Sequence, residues 1–238
     1  MENNFEILKW DSDFFNFKVA KINDFSSEDS YFKMVDELKQ GGVKLAYCFS
    51  VPDSFMDKIL KKDNVFLADE KITFSHLINK GEIDLPEVNI KEFSEGVVTD
   101  KMLDIAIQTS EHSRFRVDNN FKNEEFKKLY FQWIKNAVEN KQGGKLYTYQ
   151  EGNTLKGLIY LKEISDKTGS ISLIGVDQGY RGEQIGSKLI NKSMDYFNRL
   201  GKTEVQVVTQ KANVLACDFY KKNRFEIMDT VNVYHLWV

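Results

Sequence analysis

The stretch Ile171–Ile190, ISLIGVDQGYRGEQIGSKLI, constrains this chain more than any other. Its first residues, Ile171, Leu173, Ile174 and Val176, read as a short apolar strand. A glycine- and arginine-rich turn follows, Gly179-Tyr180-Arg181-Gly182, and an amphipathic helix starts near Gly186. A strand passed through such a turn into a helix leaves unpaired backbone N–H groups facing outward, backed by the positive end of the helix dipole. That arrangement suits a pyrophosphate, because phosphates sit well at helix N-termini. The plain alternative is a tight strand-to-helix connection with no ligand.

The surrounding chain can support such a site. Its 238 residues are enough to bury one large core or two modest ones, and 18 Phe and 10 Tyr supply dense packing. A formal charge of -3 argues against a general electrostatic grip on nucleic acid. Cys48 and Cys217 lie in apolar segments and read as small buried hydrophobes of a reducing compartment. His76, His112 and His235 are dispersed, with no metal-ligand spacing, so no metal is expected. No apolar run is long enough for a signal peptide or a membrane span, which leads to an expected cytoplasmic location and no membrane partner.

The polar stretch NKGEIDLPEVN around Pro86 marks the expected boundary between a small N-terminal α/β domain, 1–85, and a larger domain, 88–238. In the first half, Phe14–Ile22 reads as extended. Tyr31, Met34, Val35 and Leu38 have helical spacing, ended by Gly41-Gly42. Val43–Val51 reads as a strand, Phe55–Leu60 as a short helix behind Pro52-Asp53, and Val65–Ile78 as a third strand. This small layer is expected to pack on the second half. No internal repeat is visible.

The second half begins with a helix over Thr99–Thr109 and a polar loop, Ser110–Asn120. The periodic helix Phe126–Val138 follows, with Asn123 as its expected N-cap. Strands Leu146–Gln150, Leu155–Ile164 and Ser170–Val176 form an antiparallel meander across short turns. The helix Ile185–Leu200 is stopped by Gly201. Strand Glu204–Val208 should run parallel to the strand before that helix. A helix, Asn213–Lys222, and a last strand, Asp229–Val238, complete the chain. The expected class is α/β (α+β), with a mixed, mostly antiparallel sheet.

This order of elements behind a basic turn resembles the GCN5-related N-acetyltransferases, over roughly residues 90–238. The family signature of Arg or Gln, two residues, Gly, one residue, then Gly or Ala falls on Arg181-Gly182-Glu183-Gln184-Ile185-Gly186. Gln184 replaces the central glycine. A side chain is tolerable there in a right-handed backbone and harmful where φ must be positive. A second signature, Asn then an aromatic-Tyr pair then Gly-Phe, resembles Asn213, Phe219, Tyr220 and Phe225. Arg224 stands where glycine is usual, so this helix is expected to end differently. WDSDFF (Trp10–Phe15) and SRFRVD (Ser113–Asp118) resemble the TDP-fucosamine acetyltransferases and related sugar-nucleotide N-acetyltransferases, extending the likeness over nearly the whole chain. The bland alternatives are core aromatics leading into a strand and a solvated charged loop.

The resemblance implies acetyl-CoA as donor and an amine as acceptor, a TDP-aminosugar in the narrower case, with no metal. It implies that Ile174, Gly175 and Val176 offer backbone groups to pantetheine, with the Val176 N–H on the thioester oxygen. It implies that Tyr180, Arg181, Gly182, Glu183, Gln184, Ile185 and Gly186 surround the pyrophosphate, and that Asn213 and Phe219 complete the cosubstrate site. Tyr220 then faces the departing sulfur as acid or hydrogen-bond donor. Glu111 and His112 are the candidates for a base acting through water, against capped or solvated alternatives. Ser113, Arg114, Arg116 and Asp118 are expected on the acceptor, because guanidinium forks match oxyanions. The two alternate around Phe115, so only one of them is expected to point into the cleft, and Arg114 is preferred. Trp10 and Phe15 are expected to wall a nucleotide pocket. Family analogy adds a homodimer. A protein N-terminus or lysine as acceptor, or an acyl-CoA-binding module without turnover, remain open at this stage.

Overall fold

The computed structural model describes residues 4–78, 88–93, 96–141 and 143–238. In chain order the elements are β1 (Phe5–Ile7), α1 (Lys9–Phe15), β2 (Lys18–Ile22), α2 (Glu28–Gln40), β3 (Val43–Ser50), α3 (Phe55–Lys62) and β4 (Phe66–Leu77). Then come β5 (Ile90–Glu92), α4 (Asp100–Gln108), α5 (Arg114–Val117), α6 (Glu125–Val138), β6 (Lys145–Glu151), β7 (Thr154–Glu163) and β8 (Thr168–Val176). A 3-10 turn (Gln178–Tyr180), α7 (Ile185–Arg199), β9 (Glu204–Gln210), α8 (Val214–Lys222) and β10 (Glu226–Trp237) finish the chain. The chain divides into two compact units, one of Met1–Ile72, Gln210–Ala212 and Asp229–Val238, the other of Thr73–Thr209 and Asn213–Met228. The expected boundary at Pro86 lies outside the described residues.

In the first unit the strand order is β1-β2-β3-β10. β2 and β3 are parallel, and β1 and β10 are antiparallel to their neighbours. Tyr31, Met34 and Leu38 of α2 bury against this layer with Ile59 and Leu60 of α3. Of the run Phe14–Ile22 expected to be extended, Lys18–Ile22 forms β2, whereas Phe14 and Phe15 close the helix α1. Trp10 and Phe14 are four residues apart and stack at 5.1 Å, a helical pair rather than a strand pair. Ser12 Oγ accepts from the Val19 N–H at 2.9 Å and so ties the helix to β2. Phe15 is buried between Phe14 and Phe17, whereas Trp10 is half exposed. The short helix α3 is capped by Ser54, one residue past Pro52-Asp53.

The second unit carries the order β9-β8-β7-β6-β5, with β8 and β9 parallel and the rest antiparallel. The antiparallel meander and the parallel β8–β9 pair are as expected from the sequence. α4 and α6 pack on it through Met102, Ile105, Ala106, Ile134 and Ala137. The N-cap of α6 is Glu124, in a left-handed conformation, not Asn123, whose N–H and amide instead bind Glu125 at 2.9 and 3.1 Å. The polar loop 110–120 contains the helical turn α5.

One order of elements occurs twice. β2-α2-β3-α3-β4 matches β8-α7-β9-α8-β10. In both, the first two strands are parallel and the last is 12 residues long. The starts of the two matching helices differ: α2 has a capping box and acidic residues in its first turn, and α7 has neither.

Candidate active site

The site begins where β8 leaves β9. Their pairing runs from Thr168↔Glu204 to Ile171↔Val207, while β7 stays paired with β8 up to Val176. The Asp177 N–H donates to the Lys156 carbonyl at 2.8 Å. Hydrogen-bonding direction alternates along an antiparallel ladder, so Ile174 and Val176 turn their backbone groups away from β7, into the gap beside β9. The Val176 carbonyl there accepts from Arg181 Nε at 3.2 Å. Gly175 lets α4 lie directly on the strand. A Cβ at that position meets Ile105 at 2.7 Å and Thr109 at 3.1 Å. The end of α4 is thus held beside the open edge.

The turn after β8 uses its first N–H groups internally. Asp177 accepts from the Gly179 N–H at 2.9 Å, its carbonyl accepts from Tyr180, and the Gln178 N–H donates to Gln108 Oε1 at 2.8 Å. Asp177 also pairs with Lys101, whose ammonium holds the carboxyl below its ordinary range against the opposing effect of burial. Tyr180 therefore contributes its ring rather than its N–H. From Arg181 to Gly186, by contrast, no backbone N–H finds an acceptor among the described residues. α7 then starts with no side-chain cap and no acidic residue in its first turn. The matching helix of the first unit, α2, is closed by a Ser27–Ser30 capping box and carries Glu28 and Asp29. An anion is favoured at the α7 terminus and repelled at that of α2.

Gln184 adopts φ 61, the unfavourable case for a side chain there. The left-handed conformation costs a non-glycine residue roughly 1–2 kcal/mol, and the turn keeps it. Gly186 has no such strain. Its need is space, since a Cβ comes within 2.9 Å of the Phe219 ring.

Phe219 and Tyr220 are presented by α8. Asn213 caps this helix, its Oδ1 accepting from the Ala216 N–H at 3.1 Å, which leaves the Nδ2 end of the amide for a ligand. The expectation that Arg224 forces a different ending is corrected. The Phe225 N–H reaches the Tyr220 carbonyl and the Arg224 N–H that of Lys221, both at 3.0 Å. This is the usual glycine-type helix stop, with Arg224 in the left-handed conformation at φ 65. Tyr220 is buried among Phe74, Phe219 and Phe225. Its hydroxyl makes no hydrogen bond among the described residues, and burial pushes the phenol well above its ordinary value. It stays a proton-bearing donor throughout the neutral range.

Beyond α4, Glu111 is exposed and His112 half-buried. Ser113 and Asp118 are buried, with Asp118 accepting from the N–H and amide of Asn120 at 3.0 Å. Arg114 and Arg116 stand two positions apart on the helical turn α5, which points them to different sides. Arg114 lies 4.5 Å from the Phe115 ring centroid. Arg116 lies over Phe126 and reaches Ser110 Oγ at 3.4 Å. Trp10 and Phe15 belong to the first unit.

Comparison with known proteins decides the family. The model of the acetyltransferase (GNAT) family matches residues 105–225, just over half of the chain. The chain belongs to the acetyltransferase (GNAT) family. No curated protein matches it. Among solved structures, a conserved protein of unknown function from Staphylococcus epidermidis is similar with a TM-score of 0.64 at 10% identity, over 92% of this chain and 84% of that one. A GCN5-related N-acetyltransferase from Sphaerobacter thermophilus gives 0.61 at 12%, over 98% and 76%. A tandem GNAT protein from the clavulanic acid biosynthesis pathway gives 0.57 at 9%, over 92% and 75%. At these identities the likeness concerns the fold.

The protein is therefore an acetyltransferase dependent on acetyl-CoA, with the GNAT fold. Its GNAT signature falls on the turn with open N–H groups, and Gln184 and Arg224 hold glycine's backbone conformation without glycine. Sequence reasoning missed Lys101, Gln108 and Lys156, which pin the turn from α4 and β7. Their only signal was a polar side chain in or beside an apolar run, which does not separate them from surface residues.

Proposed function

We propose that this GNAT enzyme transfers the acetyl group of acetyl-CoA to the amine of a nucleotide-linked amino-deoxysugar, of the dTDP-4-amino-4,6-dideoxyhexose type, in surface polysaccharide or lipopolysaccharide biosynthesis. The observation that carries the acceptor class is the pair Arg114 and Arg116 on α5, just beyond the helix that covers Gly175. A guanidinium group there, that of Arg114 by preference, matches a phosphate of the nucleotide better than it matches a neutral peptide. SRFRVD also resembles the sugar-nucleotide enzymes. Cys48 and Cys217 are both buried and form no disulfide with each other, which accords with action in the cytoplasm.

In this reading the open N–H groups of Gly182–Gly186 hold the pyrophosphate, with the α7 dipole behind them. Ile174 and Val176 offer the pantetheine arm the backbone groups that β9 leaves unpaired, and the Nδ2 end of Asn213 steadies it. The Val176 N–H stabilises the negative charge that develops on the thioester oxygen as the neutral amine attacks. His112 or Glu111 receives the amine proton through water. The C–S bond breaks, and Tyr220 donates a hydrogen bond to the departing sulfur. Its raised pKa favours that over full proton transfer.

A thermal-shift screen of acetyl-CoA with TDP-, UDP- and GDP-aminosugars and a peptide panel tests this. A TDP-aminosugar should raise Tm and be acetylated, since a ligand at 100 times its Kd stabilises by about 2.7 kcal/mol. With that acceptor, Tyr220→Phe should lower kcat by roughly 10-fold or more while acetyl-CoA affinity changes little. Acetylation of peptides alone overturns the acceptor class. Unchanged kcat removes Tyr220 from the mechanism.

A further inference from the structure

Lys156 lies on β7, outside the signature turn, and is nearly buried at 9% exposure. Its ammonium reaches Glu151 Oε2 at 2.6 Å and Glu183 Oε2 at 3.2 Å, and sits 4.5 Å from the Tyr180 ring centroid. Its carbonyl accepts the Asp177 N–H. One residue thus grips the turn at its start, at its aromatic ring and at its carboxylate.

That carboxylate sits awkwardly. Glu183 lies between Gly182 and Gln184, in the run of N–H groups that have no acceptor. A free negative charge there repels a pyrophosphate and is drawn to the same positive helix end the ligand needs. The Lys156 ammonium, shared with Glu151, draws Glu183 to the β7 side and offsets part of its charge. Glu151 in turn is fixed by Tyr149, whose hydroxyl donates to it at 2.9 Å.

We propose that Lys156 is a positioning residue for acetyl-CoA: it holds Glu183 out of the pyrophosphate seat and fixes the turn in its anion-accepting shape. The proposal rests on the placement of the pyrophosphate at Gly182–Gly186. It goes further in assigning the affinity of that seat to a lysine on a neighbouring strand.

Titration calorimetry tests it without an identified acceptor. Lys156→Met should weaken acetyl-CoA binding roughly 10-fold, in line with loss of a charge-assisted contact, and leave S-acetylpantetheine, which has no pyrophosphate, unaffected. Lys156→Arg should restore most of the affinity. Glu183→Gln in the Lys156→Met chain should recover part of it, because the repelling charge is gone. Thermal unfolding of each variant confirms that it is folded. The proposal is overturned if Lys156→Met binds acetyl-CoA like the unaltered chain, if both ligands weaken together, or if Glu183→Gln gives no recovery. A failure of the turn itself looks different: the unaltered chain then binds S-acetylpantetheine and acetyl-CoA equally well.

Discussion

Replacing Gly186 with valine is expected to weaken acetyl-CoA binding by roughly 100-fold, about 2.7 kcal/mol, in a chain that still folds. The reason is steric. The first added carbon already lies 2.9 Å from Cε2 and 3.0 Å from Cζ of Phe219, where ordinary contact is about 3.5–4.0 Å. Unless the Phe219 ring swings aside, α8 moves away from the turn or the first turn of α7 tilts, and in the proposed reading a tilt of α7 carries the N–H groups of Ile185 and Gly186 away from the pyrophosphate. Overpacking of this kind also costs about 1–3 kcal/mol of stability, which thermal unfolding reads separately. Gly186→Ala should give an intermediate loss. Calorimetry that finds valine binding acetyl-CoA as well as glycine removes the Gly186–Phe219 contact from the account.

The second large effect lies in the first unit. Asp57 on α3 is fully buried and accepts hydrogen bonds from Tyr234 at 2.6 Å, Asn232 at 2.7 Å and the Asp53 N–H at 2.9 Å, with Lys61 at 2.7 Å. Two of these partners stand on β10, so one carboxylate fastens α3 to the last strand. Asp57→Leu strands the Tyr234 and Asn232 donors in the interior. Removing one partner from such a buried charged set costs about 3–5 kcal/mol, which should lower Tm by about 10 °C or more. The same group sets an acid limb. Burial acts to raise the Asp57 pKa, but the bonds from Asn232, Lys61, Tyr234 and Asp53 outweigh it and hold the carboxyl well below its unfolded value. Its contribution is therefore complete above the ordinary Asp range and is lost as pH falls through that range toward the folded value. Denaturant unfolding from pH 7 to pH 3 should show the unaltered chain losing stability over this window more steeply than Asp57→Leu. Parallel curves contradict the assignment.

Much of this was legible in the residues themselves. Alternation and turn residues placed β6, β7 and β8, and glycines placed the ends of α2 and α7, because those signals are local. The turn chemistry of Arg181–Gly186 was legible for the same reason. Other features were not. Phe14 reads as the start of an extended run because aromatics favour strands, yet its four-residue spacing from Trp10 lets the two rings stack in a helix. Arg224 ends α8 as a glycine does because hydrogen bonds to Tyr220 and Lys221 fix its backbone, and no single-residue preference reveals that. Lys156 and Asp57 were invisible for a shared reason. Their partners lie on other elements, and a charged residue declares its burial only once those elements are brought together.

In the proposed reading the unsatisfied N–H groups at the start of α7 hold the pyrophosphate of acetyl-CoA. Amide nitrogen–proton NMR spectra recorded during titration with acetyl-CoA test this residue by residue. The amides of Gly182, Glu183, Gln184, Ile185 and Gly186 should shift strongly and saturate together, and S-acetylpantetheine should leave them in place. Saturation with acetyl-CoA while those five amides stay unmoved contradicts the account.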